Sequence, residues 1–168
     1  DQMACNSPHL IIWTNSDRTQ IENFWLKLKI FAEQNYKIDH FMTVSKFTKF
    51  QTEKVENKNL KQIQNFKNIL IRVKLKKIDK EFTNKKGEFG YFYELENVSI
   101  KKLLQLTEKK VQTITYFGLD KDEIEKNINK VLPKGVDRIV PIGQSSKINF
   151  IWDGYDMVNS LSRKIEIF

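Results

Sequence analysis

The sequence predicts an α/β fold in which a layered, partly parallel sheet is flanked by helices. Short apolar or alternating segments typical of strands recur along the chain, and amphipathic segments with helix-capping residues lie between them. Only six glycines and three prolines occur in 168 residues, which favours regular elements over loops. With 40% hydrophobic residues, a chain of this length is expected to form one domain, 1–168, with a substantial core.

The first part of the chain is predicted to be a strand followed by two helices. Residues 9–14 are a short, continuous apolar run, which indicates a buried strand. A capping-box pattern starts at Thr19, and apolar residues spaced along one helix face follow over 21–32. Residues 43–64 are predicted to be helical, with the Asn-containing stretch 57–59 as a candidate interruption.

The remaining segments predict strands that alternate with helices. Within 69–78, apolar residues at every second position from Ile69 to Leu75 indicate a strand. The charged residues between and after them, Arg72, Lys74 and Lys76, predict that its other face is wet. Strands that alternate with helices are typical of a partly parallel sheet. The further predicted elements are an extended segment at 91–98, a helix at 99–106, a strand at 111–117, a helix at 120–132 and a short strand at 138–140.

The charge of the chain, +8, opens the alternative of a basic nucleic-acid-binding domain. Only four of the 29 basic residues are arginines and the lysines are scattered, so we predict no nucleic-acid partner. No apolar run is long enough to cross a bilayer, so we also predict no membrane span. A single cysteine and the lack of a visible secretory signal favour a cytoplasmic location.

Cys5 is the candidate nucleophile. It is the only cysteine, and it lies in a polar, turn-forming segment just before the apolar run that starts at Leu10. A thiol on the loop that enters a buried strand is held firmly and yet stays reachable, as a nucleophile requires; a small buried hydrophobe is the alternative. Asn6 and Ser7, next in the chain, are the candidates for support of the loop and of an oxyanion.

A second notable region lies near the other end of the chain. A short strand at 138–140 runs into Pro141-Ile142-Gly143, and a Trp152-Asp153-Gly154 turn follows. Trp152 and Asp153 are candidates for shaping a substrate channel, and an aromatic plug with a turn-capping carboxylate is the structural alternative. Arg138 and Arg163 are candidates to pair with Asp137 or Asp156.

Together these segments resemble the carboxyl-terminal, catalytic half of the LuxC-type acyl-CoA reductases, which are relatives of the aldehyde dehydrogenases. The family's D-Q-x-x-C-x-S-P block corresponds to Asp1–Pro8, its R-I-V-P-x-G block to Arg138–Gly143 and its W-D-G-Y-D block to Trp152–Asp156. The resemblance extends from residue 1 to about residue 165, and residues 35–90 carry no matching signature. It implies a catalytic-domain fold like that of aldehyde dehydrogenases.

The resemblance also implies a mechanism. Cys5 accepts the acyl group of acyl-CoA or of an acyl carrier protein, and hydride from NADPH then releases a fatty aldehyde. The NADPH is expected to be bound mainly by a nucleotide-binding domain upstream of this chain, so the fragment alone is expected to be inactive in hydride transfer and the cofactor contacts within it are unassigned. No metal is expected. An acyl-protein synthetase subunit is an implied partner, and the full-length protein is expected to be a homo-oligomer.

A non-catalytic interaction module is the main alternative to the enzyme. It predicts that Cys5 can be replaced without loss of function, whereas a reductase requires the thiol.

Overall fold

The computed structural model describes residues 2, 4 and 7–167, and the chain divides into two compact units, 1–103 and 104–168. The predicted α/β class is confirmed, because a partly parallel sheet is flanked by helices in the first unit. The elements that begin in this unit are β1 (Leu10–Ile12), α1 (Arg18–Asn35), α2 (His40–Glu56), β2 (Leu60–Phe66), β3 (Leu70–Leu75), β4 (Tyr91–Leu95) and α3 (Ile100–Leu106).

The sheet of the first unit has the strand order β1-β4-β3-β2. β4 is central and runs parallel to both neighbours, with Tyr93 opposite Leu10 on one side and Val73 on the other. β2 and β3 form an antiparallel hairpin, in which Ile63 is opposite Val73. The beginnings of β1 and β4 therefore lie at the same edge of the sheet, next to residues 2–9.

Both faces of this sheet are covered. On the α1 face, Ile21 and Trp25 of α1 pack on Leu70, and burial of a side chain as large as Trp25 stabilises the fold by roughly 1.5–3 kcal/mol or more. On the α2 face, Phe50 of α2 packs on the side chains of β3 and β4. The predicted wet face of β3 is therefore wrong: Arg72 is only 4% exposed, because α1 covers the strand there.

The start of α1 differs from the prediction. Asp17, not Thr19, is the N-cap: its carboxylate accepts a hydrogen bond from Gln20 N at 2.8 Å, and Gln20 Oε1 accepts one from Asp17 N at 3.1 Å. This is a capping box placed two residues earlier in the chain. Arg18 and Thr19 both adopt the helical conformation, so the helix begins at Arg18 and Asp17 is its N-cap.

The predicted helix over 43–64 is partly wrong. The helix ends at Glu56, and Leu60–Phe66 is β2. Asn57 caps the helix, and its side-chain oxygen accepts from Asn59 N at 2.9 Å, which stabilises the turn between the two elements. As a strand, Leu60–Phe66 forms backbone hydrogen bonds with β3. This pairing outweighs the local helix propensity of these residues.

The second unit contains a βαβ unit followed by a small hairpin. β5 (Thr113–Tyr116) and β6 (Arg138–Pro141) are parallel, as expected for strands joined through α4 (Lys121–Val131). Asp120 caps α4 by accepting from Asp122 N and Glu123 N, at the start of the helix predicted for 120–132. The remaining elements are β7 (Ile151–Trp152), β8 (Tyr155–Asp156) and α5 (Met157–Leu161).

Candidate functional site

The predicted nucleophile, Cys5, and its neighbour Asn6 lie outside the described residues. The residues on either side are described: Ser7 is half-buried, and its N–H donates to the carbonyl oxygen of Ala4 at 3.0 Å. The predicted part of Ser7 in supporting an oxyanion stays a prediction.

The side chain of Gln2 attaches this amino-terminal segment to the sheet. Its Oε1 accepts from Gly90 N at 2.8 Å and from Tyr91 N at 2.9 Å, and its Nε2 donates to Pro8 O at 2.8 Å and to Tyr91 O at 3.2 Å. The buried side-chain amide of Gln2 thus donates two hydrogen bonds and accepts two, which is its full capacity. Residue 2 is held where the central strand β4 begins, a contact that the sequence did not predict.

His9 holds the other end of the same segment. Its Nδ1 lies 2.7 Å from the carbonyl oxygen of Gly87, and since a carbonyl only accepts, Nδ1 carries the proton and donates. The carbonyl oxygen of His9 accepts from Tyr93 N at 3.1 Å. Gln2 and His9 are thus both bonded to residues at the edge of the sheet where β1 and β4 start.

A buried cation lies beside the Gln2 contact. Lys46 of α2 is 1% exposed, and its Nζ donates to the carbonyl oxygen of Ile69 at 2.7 Å. Burial lowers the pKa of Lys46 to about 8. A Cβ atom added to Gly90, the residue whose N–H bonds Gln2, would lie 3.6 Å from this Nζ. The ammonium group of Lys46 therefore lies next to Gly90, the residue that Gln2 contacts.

Two tyrosines of β4 lie next to a second lysine of α2, Lys49. The hydroxyl of Tyr93 donates to Glu53 Oε1 at 2.6 Å, and Lys49 Nζ lies 5.3 Å and 5.8 Å from the ring centres of Tyr91 and Tyr93. Burial, and then the Glu53 carboxylate, raises the pKa of both phenols, and burial lowers the pKa of Lys49. Both hydroxyls are therefore neutral at physiological pH. The buried hydroxyl of Tyr91 has no hydrogen-bond partner among the described residues.

A buried ionic cluster lies on the α1 face. Glu94 is fully buried and accepts from Arg72 Nε at 2.7 Å, from Trp13 Nε1 at 3.0 Å and from Trp25 Nε1 at 2.7 Å. Arg72 also reaches Glu22 at 3.0 Å. Because every oxygen of Glu94 is occupied by protein donors, this cluster is structural. The alternation of β3 had placed Arg72 in solvent, and no local signal identifies its partner.

In the second unit the structure brings two predicted blocks together. The guanidinium of Arg138 lies 4.5 Å from the ring centre of Trp152. It also donates to the carbonyl oxygens of Ser145 at 2.9 Å and Lys147 at 2.8 Å, and not to Asp137 or Asp156, so that proposed pairing is wrong. Arg138 therefore fixes the loop between the R-I-V-P-I-G and W-D-G-Y-D segments.

Asp153 and Gly154 form the turn between β7 and β8. Both have positive φ, +50° and +79°, as a two-residue turn of type I′ requires. A Cβ on Gly154 would lie 2.9 Å from Asp137 Oδ1, so a side chain at this position requires the exposed carboxylate of Asp137 to shift. Trp152 and Asp153 are half-buried. Their predicted part in a substrate channel stays a prediction.

No family model matches this chain, and neither a curated protein nor a solved structure matches it. Within residues 2, 4 and 7–167, no three His, Cys, Asp or Glu side chains are grouped so that they could hold a metal ion. In the same part of the chain, every helix is too short or too polar to cross a membrane.

Proposed function

We propose that this chain is the nucleophile-bearing domain of an acyl-thioester reductase of the LuxC type, with a catalytic-domain fold like that of aldehyde dehydrogenases. The observation that carries the proposal is the Gln2 anchor. Gln2 belongs to the same sequence block as Cys5, and its side chain bonds the sheet edge through Gly90 and Tyr91. A functional block requires support from ordered elements, and the Gln2 contact supplies such support at one of its described residues.

The chemistry assigned to the described chain is acyl transfer. The thiolate of Cys5 attacks the thioester carbonyl, a carbon–sulfur bond to Cys5 forms, and the carrier thiolate leaves and takes up a proton. A thiolate forms near neutral pH only where positive charge or N–H dipoles favour it. We assign the stabilisation of the thiolate to Lys46, a buried cation next to Gly90, the residue that Gln2 contacts. Lys46 is protonated below about pH 8 because its pKa is lowered to about 8.

None of the described residues is assigned to NADPH. The turns that lead from β1 to α1, from β4 to α3 and from β5 to α4 contain one glycine between them, Gly118. A dinucleotide pyrophosphate is usually held by a glycine-rich turn of this type. The described residues therefore do not fit this cofactor, and the reduction step is outside the chemistry assigned to them.

Acylation of the purified chain tests the proposal. After incubation with a long-chain acyl-CoA, intact-mass measurement should show one acyl adduct, which is sensitive to hydroxylamine and absent from Cys5→Ser. The same chain in urea is the matched control, because it keeps the thiol and loses the fold. Gln2→Ala should slow the reaction, since the support of the segment is lost. Acylation that is no faster in the folded chain than in urea would contradict the proposal.

A non-catalytic interaction module is the second candidate. Several apolar side chains of the second unit are exposed, among them Phe150 at 73% and Leu161 at 78%. Exposed apolar side chains in such numbers are typical of association surfaces. Cys5→Ala separates the two functions: it leaves an interaction module intact and abolishes acyl transfer.

A further inference from the structure

Residues 163–167, Arg-Lys-Ile-Glu-Ile, have the pattern of a strand without a partner. Charged and apolar residues alternate from Lys164 to Ile167, and Ile165 and Ile167 are 91% and 93% exposed. In the described part of the chain this segment belongs to no helix or strand, and its backbone enters no hydrogen bond. Unpaired backbone that carries a period-two apolar pattern favours addition to another strand.

The charges of this segment select its partner. Two identical strands that pair antiparallel about a two-fold axis place one residue opposite itself. With Lys164 on the axis, two ammonium groups face each other, and with Glu166 on the axis, two carboxylates do. With Ile165 on the axis, Ile165 faces Ile165 and each Lys164 faces Glu166 of the other copy, so this register alone pairs opposite charges.

We infer that residues 163–167 pair antiparallel with the same residues of a second copy of this chain, with Ile165 on the two-fold axis. Two Lys164–Glu166 pairs lie on one face of the ribbon. The isoleucines lie on the other face, where Arg163 is opposite Ile167 of the other copy. This inference does not depend on the proposed function, because the thiol takes no part in it.

An isolated two-stranded ribbon is only marginally stable, so the dimer also requires apolar burial. The isoleucine face supplies part of it. The second unit exposes further apolar side chains that a partner can cover: Ile148, Phe150, Ile151, Tyr155, Val158 and Leu161. The expected affinity is therefore moderate, with a dissociation constant of about 1–100 µM.

Sedimentation equilibrium of the 168-residue chain tests the register through charge reversal. Lys164→Glu and Glu166→Lys should each weaken the dimer about tenfold, because two favourable cross-strand pairs become repulsive. An equal mixture of the two variants should restore association, since the mixed dimer again sets a carboxylate opposite an ammonium at both places. Both side chains are exposed, so neither change should disturb folding.

Lys126→Glu is the matched control. Lys126 is an exposed lysine of α4 in the same unit, and its reversal changes the net charge of the chain by the same amount as Lys164→Glu. It should leave the dimer unchanged. A chain that stays monomeric at about 100 µM overturns the inference and leaves the strand to another partner. A dimer that ignores both reversals, or a mixture that fails to associate, overturns it as well.

Discussion

Replacement of Glu94 by Ala should nearly unfold the first unit. Its carboxylate is fully buried at the centre of the α1 face, where it accepts bonds from Arg72, Trp13 and Trp25 at 2.7–3.0 Å. Glu94→Ala removes the acceptor for all three donors at once. The guanidinium of Arg72, 4% exposed, then keeps Glu22, whose side chain is half exposed, and a longer hydrogen bond to Gln64 Oε1 at 3.3 Å.

The magnitude follows from the groups left behind. Removal of one partner from a buried ion pair costs about 3–5 kcal/mol, because the other charge stays buried. The two indole N–H groups lose their acceptor and add about 1 kcal/mol or more in total. We therefore expect Glu94→Ala to lower the free energy of unfolding by about 4–6 kcal/mol, which is most of the stability of an ordinary domain.

Urea unfolding followed by tryptophan fluorescence measures this loss. Trp152→Phe in the background confines the signal to Trp13 and Trp25, which both contact Glu94. Glu96→Ala is the matched control. Glu96, two residues further along the chain, pairs with Lys74 at a partly exposed position, so the expected loss is about 0–1 kcal/mol.

A double variant separates the ion pair from general disruption of the core. Arg72→Met with Glu94→Leu leaves no buried charge, so it should cost at least about 2 kcal/mol less than the two single changes together. Additive losses would refute the reasoning. A loss of under about 1 kcal/mol for Glu94→Ala would refute it too, because the carboxylate would then contribute no more than an exposed one.

Two further predictions concern Lys46 and Gly154. Since the pKa of Lys46 is lowered from 10.5 to about 8, the folded chain gains stability as pH rises through this range, where the unfolded chain still binds the proton. Lys46→Met should therefore raise the free energy of unfolding by about 1–2 kcal/mol at pH 7, and this gain should disappear towards pH 10.5. Urea unfolding at a series of pH values measures it. A difference between the two chains that does not change with pH would contradict the prediction. Gly154→Ala should cost about 2–3 kcal/mol, because a positive φ adds to the approach of Asp137, whereas Gly143→Ala, with positive φ and open space, should cost about 1 kcal/mol. Amide exchange in the second unit measures both, and equal losses would exclude a role for the Asp137 contact.

Some features of the candidate site follow from residues that are close in the sequence, and others depend on contacts between residues that are far apart in it. The motif blocks around Cys5, Arg138 and Trp152 are visible in the sequence, and the Asp153-Gly154 turn follows from its residue types. The contacts that hold these blocks do not follow from it. Gln2 bonds residues 88 and 89 positions away, and no local pattern names them.

The sequence by itself determined the α/β class, the capped helix α4 and the strands β3 and β5, because periodicity and caps express bonds between residues close in the chain. Only the tertiary structure decided that Leu60–Phe66 is a strand, since its backbone partners belong to β3. It also decided that Arg72 is buried. A period-two pattern shows which side chains share a face of a sheet, but what covers that face depends on how the chain returns over it, and here α1 returns over Arg72.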